Sequence, residues 1–258
     1  MIRGLWDRET VALLLLAALM PVASAWLWFG GTEALLRLLL TLTVSGIWHF
    51  VFMIVRAQPP SFAGAITALG VAMFAPQDLG LVAMLLGISF GTVMGELVFG
   101  GWGRNVLNPA TVTLAFLGFG YPGVSWPDFL LPIAWAAIPT AALGVIFGVM
   151  PVRVILGAVV ILMPAWALGL QSQPALVGAG LVLVVLVSDP VASASTRLGG
   201  WLNGLTYGAL VVLFAIHWTD AAAVQLAVSA ALLAGLAAPL LDEIAITLWI
   251  ARRTGRHG

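Results

Sequence analysis

The chain is a succession of apolar runs with very little charge between them, and that pattern restricts the fold more than any motif does. Ten runs can be marked, near 11–29, 34–55, 61–75, 80–98, 109–121, 129–150, 152–169, 175–188, 202–217 and 221–250. Hydrophobic residues make up 62% of the 258 and charged residues only 8%. That balance belongs to a protein dissolved in lipid rather than to a soluble domain with a large core. In hydrocarbon every backbone polar group needs an internal partner, and helices supply one. The expected fold is therefore all-α and integral to the membrane, as a single membrane domain over 1–258.

Several runs are shorter than the roughly 20 residues a spanning helix needs. The third lies between Pro60 and Pro76, the eighth between Pro174 and Pro190. Short, proline-bounded segments at corresponding places in two halves mark an inverted repeat with broken helices. About ten transmembrane helices in two inverted five-helix repeats are expected, 1–125 and 126–258, although the halves otherwise look little alike. Charge supports the count. With a cytoplasmic N-terminus, the inner connections carry Arg56, Arg104, Arg153 and Arg197, and the tail Arg252, Arg253 and Arg256. The outer connections carry Glu33, Asp78, Asp128 and Asp220, with Arg37 the only basic residue near an outer end. This positive-inside alternation predicts a bacterial-type inner membrane with both termini cytoplasmic. Val11 to Val22 followed by Ala23-Ser24-Ala25 imitates a signal peptide. The apolar run continues through Trp26-Leu27-Trp28-Phe29, so the stretch is read as the first membrane helix. Trp26, Trp28, Trp126, Trp166 and Trp218 near outer ends, and Trp6, Trp102, Trp201 and Trp249 near inner ends, read as aromatic belts.

Composition also removes whole classes of function. Net charge is zero, which argues against a nucleic-acid partner. There is no cysteine, so disulfides, thiolate iron–sulfur clusters and covalent c-type haem are excluded from this chain. His49 lies toward an inner end and His217 at an outer end, so they cannot share one haem, and no haem is expected.

Polar residues concentrate in one stretch, Gly95 to Ala110 (GELVFGGWGRNVLNPA). Gly87, Gly91 and Gly95 precede it at every fourth position, a smooth stripe for close helix packing. Glu96 follows at the inner helix end. It either reaches water, pairs with Arg104, or lines a path for an ion or quinone. Gly100, Gly101 and Gly103 free the backbone to approach a ligand or a helix. Arg104 and Asn105 could hold a carbonyl-rich or phosphate-bearing molecule. Asn108 and Pro109 read as a cap and first helical residue. In the second half Asp189-Pro190 ends an apolar run. Asp189 either caps the following turn or faces the gap between the halves, where transporters place binding groups.

At Val98-Phe99-Gly100-Gly101 and Gly103-Arg104-Asn105-Val106-Leu107-Asn108-Pro109-Ala110 the sequence resembles the NqrB/RnfD family, membrane subunits of sodium-pumping NADH:quinone oxidoreductase and of the Rnf complex. A second signature resembles Asp189-Pro190-Val191-Ala192 with Leu198-Gly199-Gly200. The resemblance runs from about Pro60 to the arginine tail. It implies ten helices in two inverted repeats, similar to urea-type channels, and membrane partner subunits carrying flavins. Usual members bear FMN on the threonine of a Ser-Gly-Ala-Thr sequence after the Asn-Pro-Ala helix. Here Gly118 to Asp128 contains no threonine, and Ser193-Ala194-Ser195-Thr196 lacks the glycine and falls on the inner side. The chain is thus read as a short variant with no covalent FMN. The remaining flavin expectation is a non-covalent riboflavin or FMN between the halves, held at Gly100, Gly101, Gly103, Arg104, Asn105, Asn108, Pro109, Asp189 and Pro190, with Glu96 and Asp189 on an ion or quinone path.

The resulting expectation is a subunit that passes electrons between a partner's redox centre and flavin or quinone, coupled to Na+ or H+ movement and not catalytic alone. The rivals are a channel or transporter for a small solute, and a structural anchor that binds partner subunits, quinone and lipid.

Overall fold

The computed structural model describes residues 7–56 and 61–254. Trp6, Pro60, Arg256 and both chain termini lie outside the described residues. The described residues form helices joined by turns and loops and contain no strand. In chain order the helices are α1 (Arg8–Arg56), α2 (Ala63–Phe74), α3 (Leu81–Gly95), α4 (Pro109–Gly120), α5 (Leu131–Ile146), α6 (Val152–Ala167), α7 (Gln173–Val182), α8 (Arg197–His217) and α9 (Ala223–Thr254). A 3₁₀ turn, Leu97–Phe99, follows α3, and a π-helical turn, Leu183–Val187, continues α7.

Helix α1 has 49 residues. A straight helix of that length would measure about 75 Å, more than twice a bilayer core. It breaks at Gly31 (φ 58, ψ −142), a conformation open to glycine. Its two ends return to the same place. Arg8 donates to the Trp102 carbonyl at 3.3 Å and Arg56 to the Val98 carbonyl at 3.2 Å. Near the bend, Arg37 donates to the Ala75 and Gln77 carbonyls at 3.2 and 2.9 Å. So α1 is a helical hairpin, and Arg8 and Arg56 meet the arginine-bearing loop at one end of the molecule. At the other end the Gln77 amide donates to the Ser125 carbonyl, and the Ser125 hydroxyl to Asp78.

Four elements are long and apolar enough to cross a membrane: Arg8–Arg56, Leu81–Phe99, Arg197–His217 and Ala223–Arg253. The others are shorter because the sequence starts and stops them early. Asn108 caps α4 and Ser172 caps α7, each followed by proline in the first turn. Thr196 caps α8 through its hydroxyl. The twelve residues of α2 reach only about 18 Å.

The short elements form the interior. Every residue of α2 except Ala65 is buried, as is every residue from Leu181 to Asp189. At Gly70 they meet α4. A Cβ there would stand 3.0 Å from both Ala110 Cβ and Leu186 Cδ2. The glycine stripe of α3 faces α4, with a Cβ at Gly95 only 3.1 Å from Pro109 Cα. In the second half α8 lies between α6 and α9, and Tyr207 donates to the Ala179 carbonyl of α7 at 2.8 Å. The tryptophan pattern is mixed. Trp28 and Trp249 are exposed, as belt residues should be, but Trp102 and Trp126 are buried within the protein.

Candidate functional site

The two polar loops singled out by sequence meet in the interior. Asn108 precedes α4, and its Oδ1 accepts from the amides of Ala110 (2.9 Å) and Thr111 (3.2 Å). That use of Oδ1 fixes the amide orientation and leaves Nδ2 free to point away from the helix. Nδ2 donates to Asp189 Oδ2 at 2.9 Å, across 81 residues of chain. The other carboxylate oxygen, Oδ1, accepts from the Val191 amide at 2.9 Å. Asp189 therefore caps its own turn and bridges to the other half at once. Both side chains are buried. A carboxylate there is tolerable because both oxygens are hydrogen-bonded and because it sits beside the positive end of α4. The π-helical turn delivers it. The Ser188 amide closes on the Leu183 carbonyl at 2.8 Å, and the Ser188 hydroxyl is buried without a partner. Such turns inside helices recur at functional positions.

The glycine loop is organised by Asn105. Its Oδ1 accepts from the Gly103 amide at 3.1 Å, and its Nδ2 donates to the Leu107 carbonyl at 2.8 Å. Gly100, Gly101 and Gly103 all take positive φ, at 103°, 89° and 93°. Arg104 is exposed at the surface of this loop and Pro109 is buried as the first residue of α4. Pro190 follows Asp189 at intermediate exposure.

Glu96 departs from its expected surroundings. It neither reaches water nor pairs with Arg104. Its exposure is 0%, and its Oε1 lies 3.1 Å from His49 Nε2. Thr67 of α2 donates to its Oε2 at 3.4 Å. The reason is geometric: α3 ends one residue earlier and the chain tightens into the 3₁₀ turn, which turns Glu96 inward while Arg104 stays outside. His49 and Thr67 were not among the expected site residues. One signal was present. His49 and Glu96 both fall at inner ends of apolar segments in the same half, where two costly polar groups are best satisfied by each other.

The flavin implied by the family motif can be tested against the residues present. Thr196 belongs to the Ser-Thr run that imitates the flavin sequence. Its hydroxyl donates to Asp242 Oδ1 at 2.6 Å and accepts from the Gly199 amide at 3.0 Å, so it serves as a helix cap. The space beside Asn108, lined by Thr111, Leu186, Val187 and Asn203, is about 10 Å³. That is room for about one water. Asn108 and Asp189 are consumed by each other. The residues at the junction therefore do not fit an isoalloxazine ring.

Apolar helices and a buried polar bridge between two broken-helix ends define a multi-pass membrane protein built around a central junction. A profile of the NQR2, RnfD, RnfE family matches residues 2–130, and the chain belongs to that family. It is 30% identical to the B subunit of the Na(+)-translocating NADH-quinone reductase of Pseudomonas aeruginosa (strain LESB58), over 85% of this chain and 68% of that protein. To the protein of the same name from Chromohalobacter salexigens it is 29% identical, over 98% of this chain and 75% of that protein. The match to its namesake in Pseudomonas paraeruginosa is 29%, with the same coverage as the first.

Proposed function

We propose that the chain is the membrane-embedded subunit of an Nqr/Rnf-type electron-transfer complex. It takes part in passing electrons between a partner's redox centre and quinone, coupled to Na+ or H+ movement. Ten spans in two inverted repeats, 1–125 and 126–258, place both termini on the cytoplasmic side of a bacterial-type inner membrane. The observation that carries this reading is the Asn108–Asp189 bridge, which joins the two stretches by which the sequence resembles the family into one buried junction. The packing pattern supports the repeat. Helix α3 packs on α4 as α8 packs on α9, α2 on α4 as α7 on α9, and α1 on α3 as α6 on α8. Across the pseudo-symmetry α1 meets α5, with the Val22 amide donating to Thr140 Oγ1 at 3.1 Å, and α4 meets α9.

In this reading the chain's own contribution is positional. Two broken helices put a capped helix N-terminus and a carboxylate at one depth, and the bridge locks the halves in register. The junction itself has no room for an isoalloxazine ring. The space at the junction, about 10 Å³, is too small for a solute larger than water at that point, which favours this reading over a solute channel through the junction.

The test is purification of the tagged chain from its own membrane in mild detergent, followed by quinone reduction assays, partner identification and an acid extract. Co-purified redox subunits with quinone reductase activity are expected, and any flavin on this chain should leave on denaturation. A chain that purifies alone and conducts a solute in liposomes would overturn the reading. A flavin-fluorescent band on this chain after denaturing electrophoresis would overturn the absence of covalent flavin.

A further inference from the structure

The His49–Glu96 contact has a countable number of protons. His49 Nδ1 lies 2.8 Å from the Ser45 carbonyl, which can only accept, so Nδ1 carries hydrogen. Nε2 faces Glu96 Oε1 at 3.1 Å. Two lone pairs cannot share that distance favourably, so one proton lies between them. The pair is either imidazolium with carboxylate or imidazole with carboxylic acid, and both forms are neutral overall. A neutral pair is the form a low-dielectric interior tolerates.

The surroundings are built around this arrangement. Gly64 seats the imidazole, for a Cβ there would stand 2.7 Å from His49 Cε1. Thr67 occupies the second carboxylate oxygen at 3.4 Å. Neighbouring charges are engaged elsewhere. Glu9, on the first arm of α1, lies within electrostatic reach of His49 but binds Arg8 and the Phe62 amide. Arg8 and Arg56 donate to backbone carbonyls of the loop. From the second half comes Asp189, within electrostatic reach of Glu96, with its oxygens held by Asn108 and Val191. Among the described residues no third imidazole or carboxylate joins the pair to make a metal-sized donor set. A cation approaching Glu96 would have to displace the contacts that His49 and Thr67 already make with its two oxygens.

We propose that His49 and Glu96 form a binding site for one exchangeable proton, loaded from solvent through His49, and that this site does not take a metal cation. The His49 side chain is 17% exposed, on the arm of α1 that ends at Arg56 beside the arginine-bearing loop, while Glu96 is 0%, so exchange enters from the histidine side. The proposal goes beyond the electron-transfer reading and does not require it. The proton comes from and returns to bulk water, and no other group changes its bonding.

The experiment is solid-state NMR of the full chain in lipid bilayers, with ¹⁵N-histidine and ¹³C-carboxyl labels, titrated through roughly pH 5 to 8. The chain has three histidines, and a His49→Gln spectrum assigns the signal. Nδ1 should stay protonated throughout. Nε2 and the Glu96 carboxyl should report one shared titration, with the same midpoint in sodium and in potassium. Thr67→Val leaves both titrating groups in place but removes a donor to the carboxylate, so the proton should be held to higher pH. Glu96→Gln should abolish the shared event and leave His49 titrating alone. A midpoint that falls by about one pH unit per tenfold rise in sodium would show a cation competing for Glu96 and overturn the proposal. An absence of any shared titration, or an unshifted midpoint in Thr67→Val, would overturn it as well. The Thr67 variant keeps the test open if Glu96→Gln fails to fold.

Discussion

Asn108 and Asp189 divide four hydrogen bonds between them, and the division is specific to each residue. Asn108 must accept twice and donate once; Asp189 must accept from two different donors. Asn108→Ala removes the cap, worth about 0.5–2 kcal/mol, and strips Asp189 Oδ2 of its partner at a further cost of about 1–3 kcal/mol. Asp189→Asn keeps the size but offers one acceptor where two are needed, so it should be destabilising too. The exchanged pair Asn108→Asp with Asp189→Asn restores all four bonds. The introduced carboxylate would accept from both helix amides and from the introduced side-chain amide, whose own oxygen accepts from Val191. Melting temperature in detergent should recover in the double variant, with a coupling energy of about 0.5–3 kcal/mol. If the charge must sit at position 189, quinone reduction stays low in that recovered protein; if only the bridge matters, it returns. A double variant no more stable than the singles would remove the bridge from the account. The capping role of Asn108 was legible in the Asn-Pro pair. The second-half stretch at Asp189-Pro190 was legible too, as polar residues facing the gap between the halves; the pairing of the two side chains was not, because nothing local encodes a contact across 81 residues, and the same holds for His49 and Glu96.

At the scale of elements, the glycine stripe of α3 carries a packing role that sequence spacing already indicated. A Cβ at Gly91 would come within 2.8 Å of Thr113 Cα, a backbone atom that cannot step aside. Gly91→Ala should therefore push α3 from α4 and lower stability by about 1–3 kcal/mol. Gly46, inside α1, has nothing within 4 Å of its would-be Cβ, so Gly46→Ala should be tolerated. Thermal unfolding of the two variants side by side checks this, and equal melting temperatures would refute the close-approach argument. The apolar runs located the helices to within a few residues, because glycine, proline and capping residues punctuate them. The third and eighth runs, bounded by prolines, correspond to α2 and to α7 with its π-helical turn, whereas the Gly31 bend and the Ser172 cap were not singled out in the sequence. The π-helical turn at Leu183–Val187 was not legible. A run of leucine and valine looks the same whether its hydrogen bonds close over four residues or five, and only the packing around Asp189 selects the wider turn.

For the whole molecule, the arrangement of charge makes a topological prediction that needs no redox partner. Arg8 and Arg56 converge on the loop that carries Arg104, while Arg37, Asp78 and Ser125 gather at the opposite end of the first half. The sequence pattern of alternate arginine loops extends this to Arg153 and Arg197 in the second half. The chain contains no cysteine, so each introduced thiol is the only one. Val106→Cys and Leu198→Cys replace exposed residues on the arginine side, and Asp128→Cys an exposed residue in the α4–α5 connection. In right-side-out vesicles a membrane-impermeant maleimide should label position 128 and spare 106 and 198 until the membrane is opened. Inverted vesicles should give the reverse. The inverted repeat depends on this outcome, because five crossings per half oblige the two halves to enter from opposite sides. Labelling of 106 and 198 from opposite faces would mean an even number of crossings in one half. The α3–α4 and α8–α9 connections would then no longer be equivalent, and the buried bridge would join parallel rather than inverted halves.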